Sequence, residues 1–358
     1  MKSKKFVALF MILLLTFSLA FTFTACKPGD DGETVTVTDM VGAQVEVNKN
    51  PKKVACVSRT TYDLLIAFGL GDVIDGAYYT LLDNEWTEVF YPDSANHYRY
   101  DYEESYETFY VRGIDLVLAP ESYIADGLRE HGITAITVCL YGKPSFDNYV
   151  FYFADLVKQL WGERDGINEK VDAWKSYFTT AQNAITTELA RHDDATRTVY
   201  YVRGDKNRGI GYTDNGQSFI EYVYKFLGLD FVGNRFESNR PSAEEICAVN
   251  PDVFVFGGIY QNTLIETIKT TEPYVNLDAV KNNQLFNIPI GFTMFEQLSV
   301  FSPVFLYDQA NKLYPEYFDF DVETEIKNLS KEYFNIDLTD DEVNNMLHAL
   351  SRNGQALA

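Results

Sequence analysis

INEKVDAWKSYFTTAQNAITTELAR, residues Ile167 to Arg191, carries its apolar side chains at Ile167, Val171, Trp174, Phe178, Ala181, Ile185 and Leu189. Gaps of three or four residues put all of them on one face of an α-helix. No proline or glycine interrupts the run, so it predicts a rod of roughly 37 Å at 1.5 Å per residue, longer than a small domain is wide. Such a rod is either a core helix of one domain or a helix shared by two. The flanking sequence decides between them.

Upstream, Thr34 to Val47 alternates apolar and polar residues around Asp39–Gly42, which predicts a hairpin. Then follow a buried strand at Lys53–Ser58, a helix Tyr62–Phe68 capped by Thr60 or Thr61 and ended by Gly69, and a strand begun at Val73-Ile74 and broken at Gly76. A strand at Ile114–Ala119, a helix at Ile124–His131 and a strand at Ile133–Leu140 complete the half. Downstream the order returns: strand Thr198–Val202, helix Ser218–Phe226 before Gly228, short strand Phe231-Val232, strand Asp252–Phe256. Even the letters correspond, LLIAFGLGDVIDG (64–76) with YKFLGLDFVGN (224–234) and VRGIDLVLAP (111–120) with AVNPDVFVFGG (248–258). The first half holds extra residues, among them the tyrosine- and acid-rich stretch Asn84–Thr108. Strands alternating with helices predict parallel sheets, and a repeat about a long helix predicts two α/β lobes joined by one rod. The implied divisions are 1–25, 26–33, 34–142, 143–196 with the helix 167–191, and 197–358.

Residues 1–25 place Lys2, Lys4 and Lys5 before the apolar run Phe6–Phe23 and small residues directly before Cys26, as in an export signal. The polar stretch after Cys26 is too poor in apolar residues to fold and reads as a tether. A net charge of -22 argues against nucleic acid and against a basic membrane-binding face. Cys56, Cys139 and Cys247 are odd in number, and two sit in apolar strands, so buried free thiols are expected rather than a disulfide framework. The sequence has no G-x-S-x-G, no H-E-x-x-H, no Walker loop and no zinc-spaced cysteine pair. Its four histidines are widely separated; His97, in the extra stretch, is the one to watch as a haem ligand.

Thr36–Val47 with Pro51-Lys52-Lys53-Val54, Leu65–Gly76, Gly113–Ala119, Ser242–Pro251 and Leu277–Pro289 together resemble the substrate-binding lipoproteins of ABC importers for iron-siderophores, haem and cobalamin. The likeness runs from about Thr34 to the end, and Tyr314–Phe318 with Tyr333-Phe334 is similar to the ferric-siderophore branch. The resemblance implies two α/β lobes on a single backbone helix and a ligand cleft between them; a continuous linking helix is stiffer than strand linkers, so little closure on binding is expected. It implies no enzymatic chemistry and no resident cofactor. It also implies a lipobox, so that Cys26 is acylated and a monomer is anchored to the membrane outside the cytoplasm. The cargo is expected to be a ferric siderophore or related metal chelate, with haem or cobalamin as the alternative. A surface adhesin or sensor without a transport role is the reading from another class.

Ligands of open α/β sheets gather at the carboxyl ends of the strands. That rule selects Arg59, Tyr78, Tyr79, Glu121–Tyr123, Tyr98, Arg99 and Tyr100 in the first lobe. In the second it selects Arg203, Arg208, Tyr212, Arg235, Arg240, Tyr260, Met294 and Phe295. Guanidinium forks suit carboxylate or catecholate oxygens, and aromatic rings suit the flat faces of a chelate. The ordinary alternative for any one arginine is a surface residue paired with a nearby acid. In the importer family each lobe presents a glutamate to the permease shortly before a Pro-Asp strand motif. That pattern falls on Glu107, eight residues before Asp115, and on Glu244, eight before Asp252.

Overall fold

In a computed structural model residues 32–138, 142, 144–193 and 196–357 are described. The signal, Cys26, nearly all of the tether and Cys139 lie outside them. A two-stranded antiparallel hairpin, β1 (Thr34–Thr38) and β2 (Gln44–Asn48), comes first, and its turn is tied by Asp39 Oδ1, which accepts the Val41 and Ala43 amides. The first lobe then contributes β3 (Val54–Cys56), β4 (Ile74–Tyr78), β5 (Tyr98–Tyr100), β6 (Leu116–Ala119) and β7 (Ala135–Thr137). The second contributes β8 (Thr198–Val202), β9 (Asp230–Phe231), β10 (Val253–Phe256) and β11 (Leu285–Asn287).

The two sheets are ordered β5-β4-β3-β6-β7 and β11-β10-β8-β9, and every pairing in them is parallel. Read from the second strand of each half, β4-β3-β6-β7 repeats as β9-β8-β10-β11. The repeat seen in the letters is thus a repeat of topology. The extra stretch of the first half is not a loose loop but adds β5 to the sheet edge. Gly76 does not break β4 as the sequence suggested. A side chain there would meet the Tyr98 carbonyl oxygen at 2.1 Å, so glycine is what lets β5 pair with β4.

Between the sheets runs the helix Ile167–Leu189, two residues shorter than predicted. Six of its seven apolar positions are buried and Leu189 is partly so. They join one continuous apolar core with the inner faces of both sheets and the C-terminal helices Ser302–Leu313 and Val322–Phe334, while two smaller cores fill the outer faces. Residues Glu33–Ala358 form one compact unit accordingly. The helix Tyr62–Ala67 also departs from expectation at its start, where Thr61 occupies the N-cap but its hydroxyl donates to the Ser58 carbonyl instead of capping the helix.

Trp174, fully buried, concentrates the contacts of this core. Its indole nitrogen donates to the Val300 carbonyl at 2.9 Å and its ring meets Phe68 edge-on at 5.8 Å, so one side chain links the rod to both flanks. Trp174→Ala is expected to cost about 3–5 kcal/mol, by lost burial plus the cavity left behind. A shift of the urea midpoint worth under about 1 kcal/mol would show the rod to be dispensable.

Candidate functional site

A cavity of about 790 Å³ opens where the strand ends of the two lobes face each other. The first lobe supplies Arg59 after β3, and Thr80, Leu81 and Asp83–Glu85 after β4. The second supplies Tyr201 from β8, Arg203–Asp205, Arg208 and Tyr212 after it, Gly258–Tyr260 after β10, and Ile290, Thr293, Met294, Glu296 and Gln297 after β11. Two glycines make the second-lobe wall possible. Gly204 and Gly258 have φ of +63° and +69°, and a side chain on Gly204 would meet the Gly257 carbonyl oxygen at 1.7 Å, so the two loops touch backbone to backbone.

Of the residues selected from the sequence, Arg59, Arg203, Arg208, Tyr212, Tyr260 and Met294 line the cavity. Tyr78 lies under the Arg59 guanidinium, 4.9 Å from its ring centre, and Tyr79 packs edge-on against Tyr78. The others stand elsewhere. Tyr98 belongs to β5 and is covered by Arg112; Arg99 pairs with Asp83 at the surface. Arg235 is exposed and paired with Asp230, Arg240 is exposed, and Phe295 is fully buried in a stack with Phe301. Tyr100 is buried against Phe109, and Tyr102 and Tyr123 donate to Glu121 and Glu103. His97 accepts or donates at 2.8 Å to the Tyr62 hydroxyl, between aromatic rings and away from the cavity.

The arginines of the cavity differ in their engagement. Arg203 pairs with buried Asp214 at 3.0 Å, and its guanidinium lies 5.0 Å from the Tyr212 ring, which Arg208 approaches at 4.4 Å. Arg59 and Arg208 have no carboxylate partner among the described residues, although the chain has 52 acids to 30 bases. The acids near them are already engaged. Asp205 accepts the Asn207 and Arg208 amides, Glu85 accepts the Arg352 amide, and Asp83 holds Arg99.

Sequence reasoning missed two contributors. The first is Glu296, whose Oε1 accepts the Gly258 amide at 3.0 Å; burial pushes its carboxyl up to about 7. The second is the C-terminal tail, of which Ser351 and Gln355–Leu357 line the cavity. Trp86 donates to the Leu350 carbonyl, and Asn262 donates to the His348 and Ala349 carbonyls, so the tail is tied to both lobes. A polar coil such as SRNGQALA carries no sequence signal for that role. A second cavity, of about 760 Å³, lies between the hairpin and Tyr152–Gln159, and no arginine lines it among the described residues.

Asp63 joins the lobes behind the cavity, its Oδ2 accepting the Ser299 hydroxyl at 2.7 Å and the Val300 amide at 3.1 Å, and burial pushes its carboxyl up to about 7 as well. In the unfolded chain both acids ionise near their usual values, around 4. The folded state therefore binds more protons, and the stability these groups contribute is complete below about pH 4 and lost as pH rises toward 7. The melting temperature is expected to fall between pH 5 and pH 8. Asp63→Asn, which keeps the acceptor oxygen, should flatten that fall; a profile parallel to the wild type would show that Asp63 ionises freely in the fold.

Residues 154–290 match the model of a family described as periplasmic binding proteins. No curated protein matches the chain. Among solved structures, a periplasmic solute-binding protein of Veillonella parvula is 19% identical, with a TM-score of 0.69 over 90% of this chain and 99% of that one. The molybdate periplasmic binding protein of Haemophilus influenzae, bound to molybdate, is 14% identical with a TM-score of 0.70 over 85% and 99%. A protein of an Fe3+-hydroxamate transport system from Saccharomonospora viridis is 17% identical with a TM-score of 0.59 over 78% and 98%. Such identities speak for the fold, and the family match speaks for residues 154–290. Among the described residues no helix is long and apolar enough to cross a membrane. The chain thus has the two-lobed α/β fold of the solute-binding proteins of ABC transporters and carries the periplasmic binding protein family's sequence pattern from residue 154 to residue 290.

Proposed function

We propose that this chain is the extracytoplasmic binding component of an ABC importer, anchored through an acylated Cys26, and that it captures an anionic iron chelate of the ferric-siderophore kind. The observation that carries the reading is the pair Arg59 and Arg208, unpaired with acid among the described residues and facing one cavity from opposite lobes of a very acidic protein. A guanidinium held at a cavity wall with no carboxylate of its own is suited to an anion brought by the ligand. Tyr212 and Tyr260 add flat aromatic faces. The volume favours the larger anions. About 790 Å³ falls in the range that encloses a ligand of drug-like size and far exceeds what a bare oxyanion fills.

Among the described residues no catalytic constellation accompanies the arginines, and the chelate is expected to be released unchanged. The test is a titration followed by tryptophan fluorescence, with ferric tris-catecholate, ferric hydroxamate, haemin, cobalamin and molybdate as separate ligands. Saturable binding of the catecholate at micromolar or lower concentration supports the reading. Binding of haemin or cobalamin alone would replace the cargo, and binding of none of the five would overturn the assignment.

A further inference from the structure

The segment Ser351-Arg352-Asn353-Gly354-Gln355 closes on itself. The Ser351 amide donates to the Gln355 carbonyl at 2.7 Å, the Gly354 amide to the Ser351 carbonyl at 2.9 Å, and the Gln355 amide to the Ser351 hydroxyl oxygen at 3.2 Å. Leu350 and Ala356 then pair as an antiparallel bridge. Three residues between the paired ends, the last of them Gly354 with φ of +77°, make a tight hairpin turn, and asparagine and glycine are residues that such turns favour. Local chemistry therefore gives this segment one shape.

Its place is fixed from both lobes. From the first, the fully buried Trp86 indole donates to the Leu350 carbonyl at 3.1 Å, and the Glu85 carboxylate accepts the Arg352 amide at 3.3 Å. From the second, Asn262 donates to the His348 and Ala349 carbonyls at 2.9 and 3.0 Å, and Asn287 to the Leu347 carbonyl at 2.7 Å. The helix Asp340–Leu347 adds Asn345, which donates to the Arg352 carbonyl at 3.0 Å, and Glu342, which pairs with the Arg352 guanidinium at 2.7 Å. To leave the cavity the turn would have to break bonds to both lobes.

What the turn presents is accessible and uncharged. Ser351, Gln355, Ala356 and Leu357 line the cavity; Gln355 and Ala356 are exposed and Leu357 is half-buried, so a ligand can reach them. Arg352, the one charged residue between Leu350 and Leu357, is taken by Glu342 and does not line the cavity. The arginines of the cavity come from the lobes, and the turn adds a neutral wall of one carboxamide and two hydrocarbon side chains. A carboxamide both donates and accepts hydrogen bonds, and the hydrocarbon groups suit an apolar edge. None of them offers a counter-charge to an anionic oxygen. The part of a chelate that suits this wall is its periphery, the ring edges and linking amides outside the oxygen shell of the metal.

We propose that the turn Ser351–Leu357 is a specificity element of the binding site, against which a cargo held through its charge by Arg59 and Arg208 rests a neutral periphery, an aryl edge or a linking amide. This assignment rests on the anionic-chelate reading and adds a segment that belongs to neither sheet, which the rule of strand ends does not reach. Among chelates of one charge, Gln355, Ala356 and Leu357 select by the shape and polarity of that periphery.

The test compares Ala356→Trp with Asn353→Trp, using ferric tris-catecholate as the probe. Both replace an exposed residue of the same turn, but Ala356 lines the cavity and Asn353 does not. Ala356→Trp is expected to weaken binding about tenfold or more, because the indole takes space the cargo needs, and Asn353→Trp to stay within about twofold of the wild type. Unfolding curves verify that both variants are folded. Hydrogen exchange supplies a readout that needs no substitution: the probe should slow the amides of residues 351–357 in the wild-type chain and leave those of the β1–β2 hairpin, which does not line this cavity, unchanged. Wild-type affinity in the Ala356 variant, equal losses in the two variants, or unchanged exchange at 351–357 in the presence of bound probe would overturn the role of the turn while leaving the anionic-chelate reading in place. Failure of the wild-type chain to bind the probe would overturn that reading and the role of the turn with it.

Discussion

The double variant Arg59→Ala/Arg208→Ala is expected to bind a ferric tris-catecholate at least a hundredfold more weakly than the wild type. A hydrogen bond from a desolvated arginine to an anionic oxygen contributes about 1.5–3 kcal/mol, so each loss is worth roughly ten- to a hundredfold in affinity. Two arginines from opposite lobes acting on one ligand lose more together than either alone. A neutral hydroxamate chelate should lose much less. Arg203→Ala gives a less direct reading, because it strands the buried carboxyl of Asp214, and is best compared with Arg203→Ala/Asp214→Asn. Arg235→Ala and Arg240→Ala serve as controls. Both side chains are exposed and neither lines the cavity, so affinity should not change. If the double variant retains wild-type affinity while the Arg240 variant loses it, the ligand does not sit in this cavity.

The positions of these arginines show where the sequence was legible and where it was not. The rod Ile167–Leu189 was readable because its apolar face is uninterrupted, and a helix that long has few alternatives. The parallel order of each lobe was readable because buried strands and their helices alternate in a fixed rhythm. Which arginines meet was not. The rule that ligands gather at strand ends selects Arg203 and Arg235 alike, since both follow second-lobe strands, but β9 is an edge strand of two residues and Arg235 after it pairs with Asp230 and does not line the cavity. Tyr98 and Arg99 misled for a different reason. Their stretch looked like an insertion in a loop, and Gly76, read as a strand breaker, was the residue that admits it to the sheet. Glu296 gave no signal because its character comes from burial between β8, β10 and the β11 loop, a long-range arrangement that local letters do not encode.

Loss of delivery with binding intact is the expected phenotype of Glu107→Ala/Glu244→Ala. Both glutamates are exposed in the first turn of a helix, Tyr106–Arg112 in the first lobe and Ala243–Val249 in the second. The alignment that paired them in sequence has a counterpart in the fold. Each helix ends in a left-handed residue, Gly113 with φ 65° and Asn250 with φ 47°, and each then runs into a strand through an aspartate two residues on. Asp115 accepts the Lys52 and Lys53 amides just before β3, and Asp252 accepts the Thr198 amide at the start of β8. The two helices are therefore equivalent elements of the two lobes, and the eight-residue offset puts Glu107 and Glu244 at equivalent places on them. Helix dipoles favour acids at such positions whatever the partner, so exposure and location alone do not assign a role. What singles these two out is that neither lines the cavity, and that a repeat preserves the pair on matching faces of both lobes. A transporter with two membrane subunits would present one basic patch to each, and charge-assisted contacts at both would set the docked orientation. Removing both acids should leave the affinity for ferric tris-catecholate and the melting temperature unchanged while iron uptake falls to background in cells that depend on this protein. Either single variant should fall between. Wild-type uptake by the double variant, with folding and ligand affinity verified, would show that the lobes dock through other residues.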